Sequence, residues 1–536
     1  MKMDHLYQPY PSIRNTAFAK KGMVATSQPL ASQAGLEILQ KGGNAIDAAI
    51  ATAAVLTVVE PTSNGIGGDA FALVWVKGKL HGLNASGPSA KSISIEAVKE
   101  KGHEKMPVHG VIPVTVPGVP SAWAELSKRF GKLSLKEVLA PAIRYAEEGY
   151  PISPVLGKYW GLAYKKFREI FKSDEFKPWF DTFAPKGRAP LIGEMWSSPG
   201  HASTLRSIAE TEGESFYRGE LAGKISSYMK AYGGFLSEED LADYRAEWVD
   251  PISTSYRGYD VWEIPPNGQG LVALMALNIA KGFDFSEKEA VDTYHKQIES
   301  MKLAFTDGKA FITEDKDMPL SVDELLSEQY AKDRRDLIGE EAIFPENYEP
   351  PKGGTVYLAA ADDEGNMISF IQSNYMGFGS GIVIPGTGIG LQNRGHDFSL
   401  DPEHPNALKP GKKTYHTIIP GFLTKGNEAI GPFGVMGGYM QPQGHFQVMM
   451  NTIDFHLNPQ AALDAPRWQW MKEKQVLVEP GFPNYIAQAL ARKGHSIQVA
   501  TDHGAFGRGQ IIWRNPETGV LMGGTESRTD GAIAAW

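Results

Sequence analysis

At Gly353-Gly354-Thr355 a glycine pair hands the backbone to a lone hydroxyl, and the run that follows, TVYLAAAD, alternates like a strand. A threonine hydroxyl is a weak nucleophile near neutral pH and needs a base within hydrogen-bond reach. Were Thr355 the first residue of a chain, its own α-amine would be that base, since an α-amino group titrates at about 7.7–8.0, well below a lysine. Freeing the amine requires the Gly354–Thr355 bond to break. The hydroxyl can attack the preceding carbonyl, and glycine at 354 imposes little steric hindrance and tolerates a strained turn. Two readings stand on these residues alone: Thr355 simply opens a strand, or it is the nucleophile of a chain that cuts itself and then cleaves amides.

Other constellations are weaker. GIGGDA (residues 65–70) has glycines spaced like a dinucleotide fingerprint, but a helix precedes it and a strand follows, the reverse of the order that binds a pyrophosphate. GTGIG (386–390) sits among expected strands and fails the same test, its glycines reading as turns. The 13 histidines form no HExxH and no tight cluster in sequence, so neither a catalytic metal nor any other cofactor is expected. A G-x-S-x-G elbow is missing, which argues against an α/β-hydrolase. The chain has no cysteine, so disulfides, thiolate zinc sites and a cysteine nucleophile are excluded together.

The elements that must hold Thr355 belong to a large α/β chain. Its 536 residues allow several domains or one large unit. The net charge of −9, with no block of Lys and Arg, makes nucleic acid and anionic membranes poor partners. The first residues carry no apolar h-region, so a cytoplasmic location is expected. The most apolar stretch, residues 45–59, contains Asp47 and falls short of the ~20 residues a bilayer requires, so it reads as a buried helix. A preceding helix stops at Gly42-Gly43, and the apolar helix ends before Pro61. FALVWV (71–76) and the returning KGKLHGLNAS read as a hairpin. Residues 120–230 are mostly helical, and 315–352 read as an exposed helical or linker segment. After Thr355 come strands, including an expected run of strands and glycine turns through GSGIVIPGTGIGLQ (379–392), and then a helix through GHFQVMMNTIDFHL. Helix-rich text before Thr355 and strand-rich text after it suggest layers, with sheets drawn from both parts.

Nearly the whole chain resembles the gamma-glutamyltransferase family of N-terminal-nucleophile hydrolases. The likeness is carried by PLASQAGLEILQKGGNAIDAAIATAAVLTVVEPTSNGIGGDAF, VPGVPSAWAELSKRFGKLSLKEVLAPAIRYAEEGYP, GFGSGIVIPGTGIGLQN, MGGYMQPQGHFQVMMNTIDFHLNPQAALDAPRW and ESRTDGA. The resemblance implies a four-layer αββα sandwich built from two fragments of one precursor: residues 1–354, and residues 355–536 beginning with Thr355. It implies Thr355 as nucleophile and Gly354–Thr355 as the cleavage site. Ser373 is then a supporting hydroxyl where threonine is usual, and Gly437-Gly438 is the oxyanion pair. Asp397 matches the acid that holds a γ-glutamyl α-amine, and Tyr375 is placed with the substrate-binding set.

The likeness breaks at the substrate's carboxylate. The family's arginine falls on Ala85 or Ser86, its two serines fall on His416 and Thr417, and Arg394 stands where an uncharged residue is usual. A rebuilt grip follows, with Arg394 as the bidentate partner of a carboxylate and His416 and Thr417 as neutral donors. Equally open is that Arg394 pairs with Asp397 and only holds the loop. Similar departures mark the branch with cephalosporin acylase-like enzymes and small amidohydrolases. The expected activity is hydrolysis, rather than transfer, of a small-molecule amide whose acyl part bears a carboxylate, γ-glutamyl or glutaryl-like. The alternative is an unprocessed, inactive binding relative of the same fold. Beyond the two fragments of the chain, a higher oligomer is possible and no other partner is indicated.

Overall fold

The computed structural model describes residues 14–345 and 354–536; Gly353, half of the glycine pair, lies outside them. Two seven-stranded sheets form its centre. One runs, edge to edge, Ala532–Ala535, Gly22–Thr26, Gly354–Asp362, Met367–Tyr375, Asp69–Val76, Lys79–Ala85 and Glu247–Val249. The other runs Ala17–Ala19, Leu521–Thr525, Arg508–Arg514, Glu428–Met436, Gly421–Lys425, Tyr259–Glu263 and Ile252–Tyr256. Both draw strands from either side of residue 354, and all neighbouring strands in them pair antiparallel.

Strand periodicity sorts side chains among three of the four cores of the described residues. Along Gly354–Asp362, Val356, Leu358 and Ala360 face helices, whereas Tyr357, Ala359 and Ala361 face the opposite sheet. Along Asp69–Val76, Ala70, Ala72 and Val74 face the helices, and Phe71 and Leu73 face inward. The same alternation puts Thr355, Ser373 and Asp69 on the inward face. A third core packs the helices Gly270–Ala280, Val291–Phe311 and Met440–Ile453 on the outside of the second sheet. The result is the four-layer αββα arrangement.

The buried helix Ala45–Val59 forms as expected. Asn44 accepts from the N–H groups of Ile46 and Asp47, Asp47 caps Asn44 in return, and all 15 helical residues are buried. A helix apolar all round belongs inside a large fold. It lies so close to the preceding helix, Pro29–Gln40, that a Cβ on Gly35 would stand 2.4 Å from Thr52 Oγ1. The first hairpin also forms, turning at Lys77-Gly78, both with positive φ, as a two-residue turn between twisted strands requires.

The expected strands in 379–392 do not. That stretch makes only isolated bridges, Val383 to Gly390 and Gly67 to Leu391, because Gly379, Gly381, Gly386 and Gly388 all take positive φ and keep turning the chain. Among the described residues no helix is long and apolar enough to cross a membrane.

Candidate active site

Thr355 sits beside a β-bulge. Gly354 pairs with Tyr375 but Val356 pairs with Gln372, so both Ser373 and Asn374 lie opposite Thr355. Tyr375 absorbs the irregularity at φ +71°, a costly conformation for a side chain branched by a ring. The bulge aims the Ser373 hydroxyl: its Oγ lies 2.7 Å from the Gly354 carbonyl oxygen, 3.0 Å from Thr355 Oγ1 and 2.8 Å from the Tyr375 N–H. Ser373 has one proton. The Gly354 carbonyl can only accept it, so Ser373 donates there and Thr355 donates to Ser373. Both hydroxyl residues are buried.

Asp397 sits in a cluster of hydrogen-bond donors. Its Oδ1 accepts from the phenols of Tyr375 at 2.7 Å and Tyr439 at 2.9 Å, and its Oδ2 pairs with Arg394 Nη1 at 3.2 Å. The same Nη1 donates to Thr417 Oγ1 at 3.0 Å, and the guanidinium stacks 3.8 Å from the Tyr375 ring centre. Arg394 is 1% exposed, yet its Nε and Nη2 have no partner among the described residues. Arg394 thus pairs with Asp397, while one edge of its donor fork has no partner among the described residues. Unmet buried donors are costly, and they mark where an anion would be welcome.

Lys309, from the helix Val291–Phe311, donates to the Tyr439 hydroxyl and lies against the Tyr415 and Tyr439 rings. Burial pushes its ammonium down to about 7, against the pull of Asp397.

Gly437 and Gly438 close the strand Glu428–Met436 with φ of +140° and +59°. Such backbone can turn consecutive N–H groups toward one anion, and the positive end of the helix Met440–Ile453 starts just beyond. Gln269 Nε2 steadies the turn, donating to the Gly438 carbonyl at 2.9 Å and to that of Thr417 at 2.5 Å.

His416 departs from expectation. Its Nδ1 accepts the Ile418 N–H at 3.3 Å, so the ring's proton is on Nε2, which donates to Asp69 Oδ2 at 3.0 Å. With both nitrogens engaged inside the protein, His416 is not a donor to substrate; the neighbouring backbone N–H fixes the tautomer. Burial, with Arg394 and Lys413 nearby, holds the ring well below the usual imidazole range and therefore neutral. Where the family's arginine is expected, Ser86 instead bonds to Asn84 Oδ1 at 2.7 Å and accepts from Asn267 Nδ2 at 3.2 Å, a neutral network.

Asp69, Lys309 and Tyr439 were not among the residues the sequence singled out. Only the acid after the glycines in GIGGDA was a visible signal. A histidine cluster that sequence spacing does not reveal also forms: His295, Glu299 and His495 converge with ligand atoms within 4.8 Å of one another. Lys302 stands 2.7 Å from Glu299 and supplies the cation there, which makes the group a self-neutralising buried network.

This geometry has relatives. The chain is 37% identical to the glutathione hydrolase-like YwrD proenzyme of Bacillus subtilis, over 97% of this chain and 99% of the relative. It is 34% identical to the oxamate amidohydrolase proenzyme of Klebsiella pneumoniae, over 96% and 98%. A solved structure of cephalosporin acylase from Bacillus halodurans superposes with a TM-score of 0.98 at 69% identity, covering 100% of this chain and 99% of that one. The family model for gamma-glutamyltranspeptidase matches residues 31–536, so a threonine bracketed by a serine and a glycine carbonyl, in a sandwich of this topology, belongs to a member of the gamma-glutamyltranspeptidase family.

Proposed function

We propose that the chain is a self-processing amide hydrolase in which Thr355 first cuts its own precursor and then cleaves small amides with a carboxylate-bearing acyl group. The observation that carries this reading is the placement of Ser373 Oγ between Thr355 Oγ1 and the Gly354 carbonyl. In scission, Thr355 Oγ adds to the Gly354 carbonyl carbon while Ser373 polarises the carbonyl oxygen. The C–N bond breaks as the Thr355 hydroxyl proton is passed to the departing nitrogen, leaving Gly354 as an ester on Thr355 and a free α-amine. Water then hydrolyses the ester. In turnover the amine takes the hydroxyl proton as Oγ attacks the substrate amide, and it returns the proton to the leaving amine. The Gly437 and Gly438 N–H groups receive the developing oxyanion, an interaction worth roughly 3–4 kcal/mol per donor in other enzymes. Water, activated by the same amine, resolves the acyl-enzyme.

The unmet Nε and Nη2 donors of Arg394 suit the far carboxylate of a glutaryl- or oxalyl-like group. Asp397, already holding Arg394 and two phenols, is poorly placed to take an added α-ammonium. The relative named for oxamate, an amide whose acyl part bears a carboxylate, fits that preference. On a denaturing gel, purified protein resolves into two bands, the smaller starting at Thr355 by N-terminal sequencing, and Thr355→Ala stays whole and inactive. An uncut wild-type chain that remains inactive through long incubation would instead indicate a binding relative. Measured as kcat/KM, glutaryl-anilide exceeds γ-glutamyl-anilide; the opposite order overturns the carboxylate assignment.

A further inference from the structure

Lys309 brings to Asp397 and Arg394 a second cation that the chemistry so far does not use. It comes from the helix Val291–Phe311, before the proposed cut, whereas Arg394, Asp397, Tyr415 and Tyr439 lie beyond it. As a residue Lys309 is half-buried, and its ammonium lies 3.8 Å from the centre of the Tyr439 ring and 4.1 Å from that of Tyr415. The two rings stack with centres 5.9 Å apart. Lys309 donates to the Tyr439 hydroxyl, and that hydroxyl donates to Asp397 Oδ1 at 2.9 Å. On its other oxygen Asp397 holds Arg394 at 3.2 Å. Two cations, one direct and one relayed by a phenol, thus converge on one carboxylate. Tyr439 directly follows Gly437-Gly438, so the relay ends beside the turn proposed for the oxyanion.

The geometry points to Lys309 as a specificity-determining residue that keeps an α-ammonium out of the acyl site: its own charge, relayed to Asp397 through Tyr439, stands in for a substrate amine, and acyl groups with no charge beside their terminal carboxylate are selected. This deepens the amidohydrolase reading above and rests on it.

Electrostatics decides which acyl ends are admitted. An ammonium arriving at Asp397 would displace a phenol or Arg394 and come to rest beside two fixed cations. Like charges oppose one another far more strongly in a buried site than in water. A hydroxyl on the same carbon brings no charge and meets no such opposition, and a carboxylate is drawn by both cations. Burial pushes the Lys309 ammonium down to about 7; Arg394 adds to that shift and Asp397 opposes it. The exclusion is therefore read at about pH 6, where Lys309 carries its proton.

The test uses the self-processed wild-type enzyme and three anilides, glutaryl, 2-hydroxyglutaryl and γ-glutamyl, each joined through the carbonyl remote from its free carboxylate. They differ only in the group beside that carboxylate: hydrogen, hydroxyl or ammonium. The expected kcat/KM on 2-hydroxyglutaryl-anilide lies close to that on glutaryl-anilide. On γ-glutamyl-anilide it lies roughly tenfold or more below both, through KM rather than kcat. In Lys309→Met, which keeps the length and loses the charge, the ratio of γ-glutamyl to 2-hydroxyglutaryl kcat/KM rises roughly tenfold. That ratio cancels any loss common to both substrates, including a weaker hold on the carboxylate they share. A wild-type enzyme that rejects the hydroxyl as strongly as the ammonium overturns the proposal without help from any variant, because size or polarity would then do the excluding. So does an unchanged ratio in a folded, self-cleaved Lys309→Met. Failure of the amidohydrolase reading looks different: none of the three anilides is cleaved.

Discussion

Ser373 spends its single proton on the Gly354 carbonyl and accepts two hydrogen bonds in return. Ser373→Ala removes the polariser and the rest for the Thr355 hydroxyl together. At about 1 kcal/mol for each ordinary hydrogen bond, self-cleavage slows by roughly 10–100-fold. Ser373→Thr keeps the hydroxyl and most of the rate. Gel time courses of freshly made precursor measure both, and an unslowed Ser373→Ala would remove serine from the scission mechanism. Arg394 gives a complementary expectation. Arg394→Lys keeps the charge beside Asp397 but loses the planar fork, so kcat/KM on glutaryl-anilide drops by roughly 10–100-fold with pentanoyl-anilide little changed. Equal losses on both substrates would mean that Arg394 only holds the loop. At this scale the sequence was informative where chemistry is local. Thr355 follows the glycine of its proposed cleavage site, and family likeness pointed to Ser373 and the Gly437-Gly438 pair. Asp69, Lys309 and Tyr439 were hidden because their meaning comes from partners far along the chain: Asp69 meets His416 across 347 residues, and Lys309 meets Tyr439 across 130.

Elements obey the same division between local and distant causes. The helix Ala45–Val59 was legible because its cap, Asn44 with Asp47, is written beside it. The hairpin at Lys77-Gly78 was legible for the same reason. The segment 379–392 was misjudged because strand-like residues there are cut by glycines whose positive φ serves close packing: a Cβ on Gly388 would stand 2.2 Å from His201 Nδ1. Gly35 is the corresponding case between helices. Gly35→Ala puts a methyl 2.4 Å from Thr52 Oγ1 and 3.1 Å from the Ala48 carbonyl oxygen, one a short side chain and the other backbone. The two helices must part, at a cost of about 1–3 kcal/mol, and Tm falls while the self-cleaved fraction at low temperature stays unchanged. Thermal melts and a gel on the same sample separate the effects. An unchanged Tm would show that the helices sit further apart than described.

At the scale of the whole molecule, the proposed cut before Thr355 would divide a chain whose sheets ignore the division. Gly22–Thr26 pairs on both sides with strands from beyond residue 354, and Asp69–Val76 pairs with Met367–Tyr375. In the second sheet, Tyr259–Glu263 pairs with Gly421–Lys425, and Ala17–Ala19 with Leu521–Thr525. Buried polar contacts cross as well. His295 meets His495 at 2.9 Å, and Asp362 accepts from the Ala45 N–H at 2.9 Å. Parting the fragments would expose the inter-sheet core and the edges of central strands, so no native route to separation exists short of unfolding. The nicked protein should therefore run at the mass of the whole chain in native size exclusion, and its fragments should part only across the main denaturant transition. Refolding is then a meeting of two chains, neither of which can complete either sheet alone. Recovery of activity after dilution from denaturant should rise with protein concentration for nicked enzyme and be independent of it for the uncut Thr355→Ala precursor, the latter read by near-UV circular dichroism. Fragments that separate under native conditions, or nicked enzyme that refolds equally well at every dilution, would contradict the interleaving of the strands.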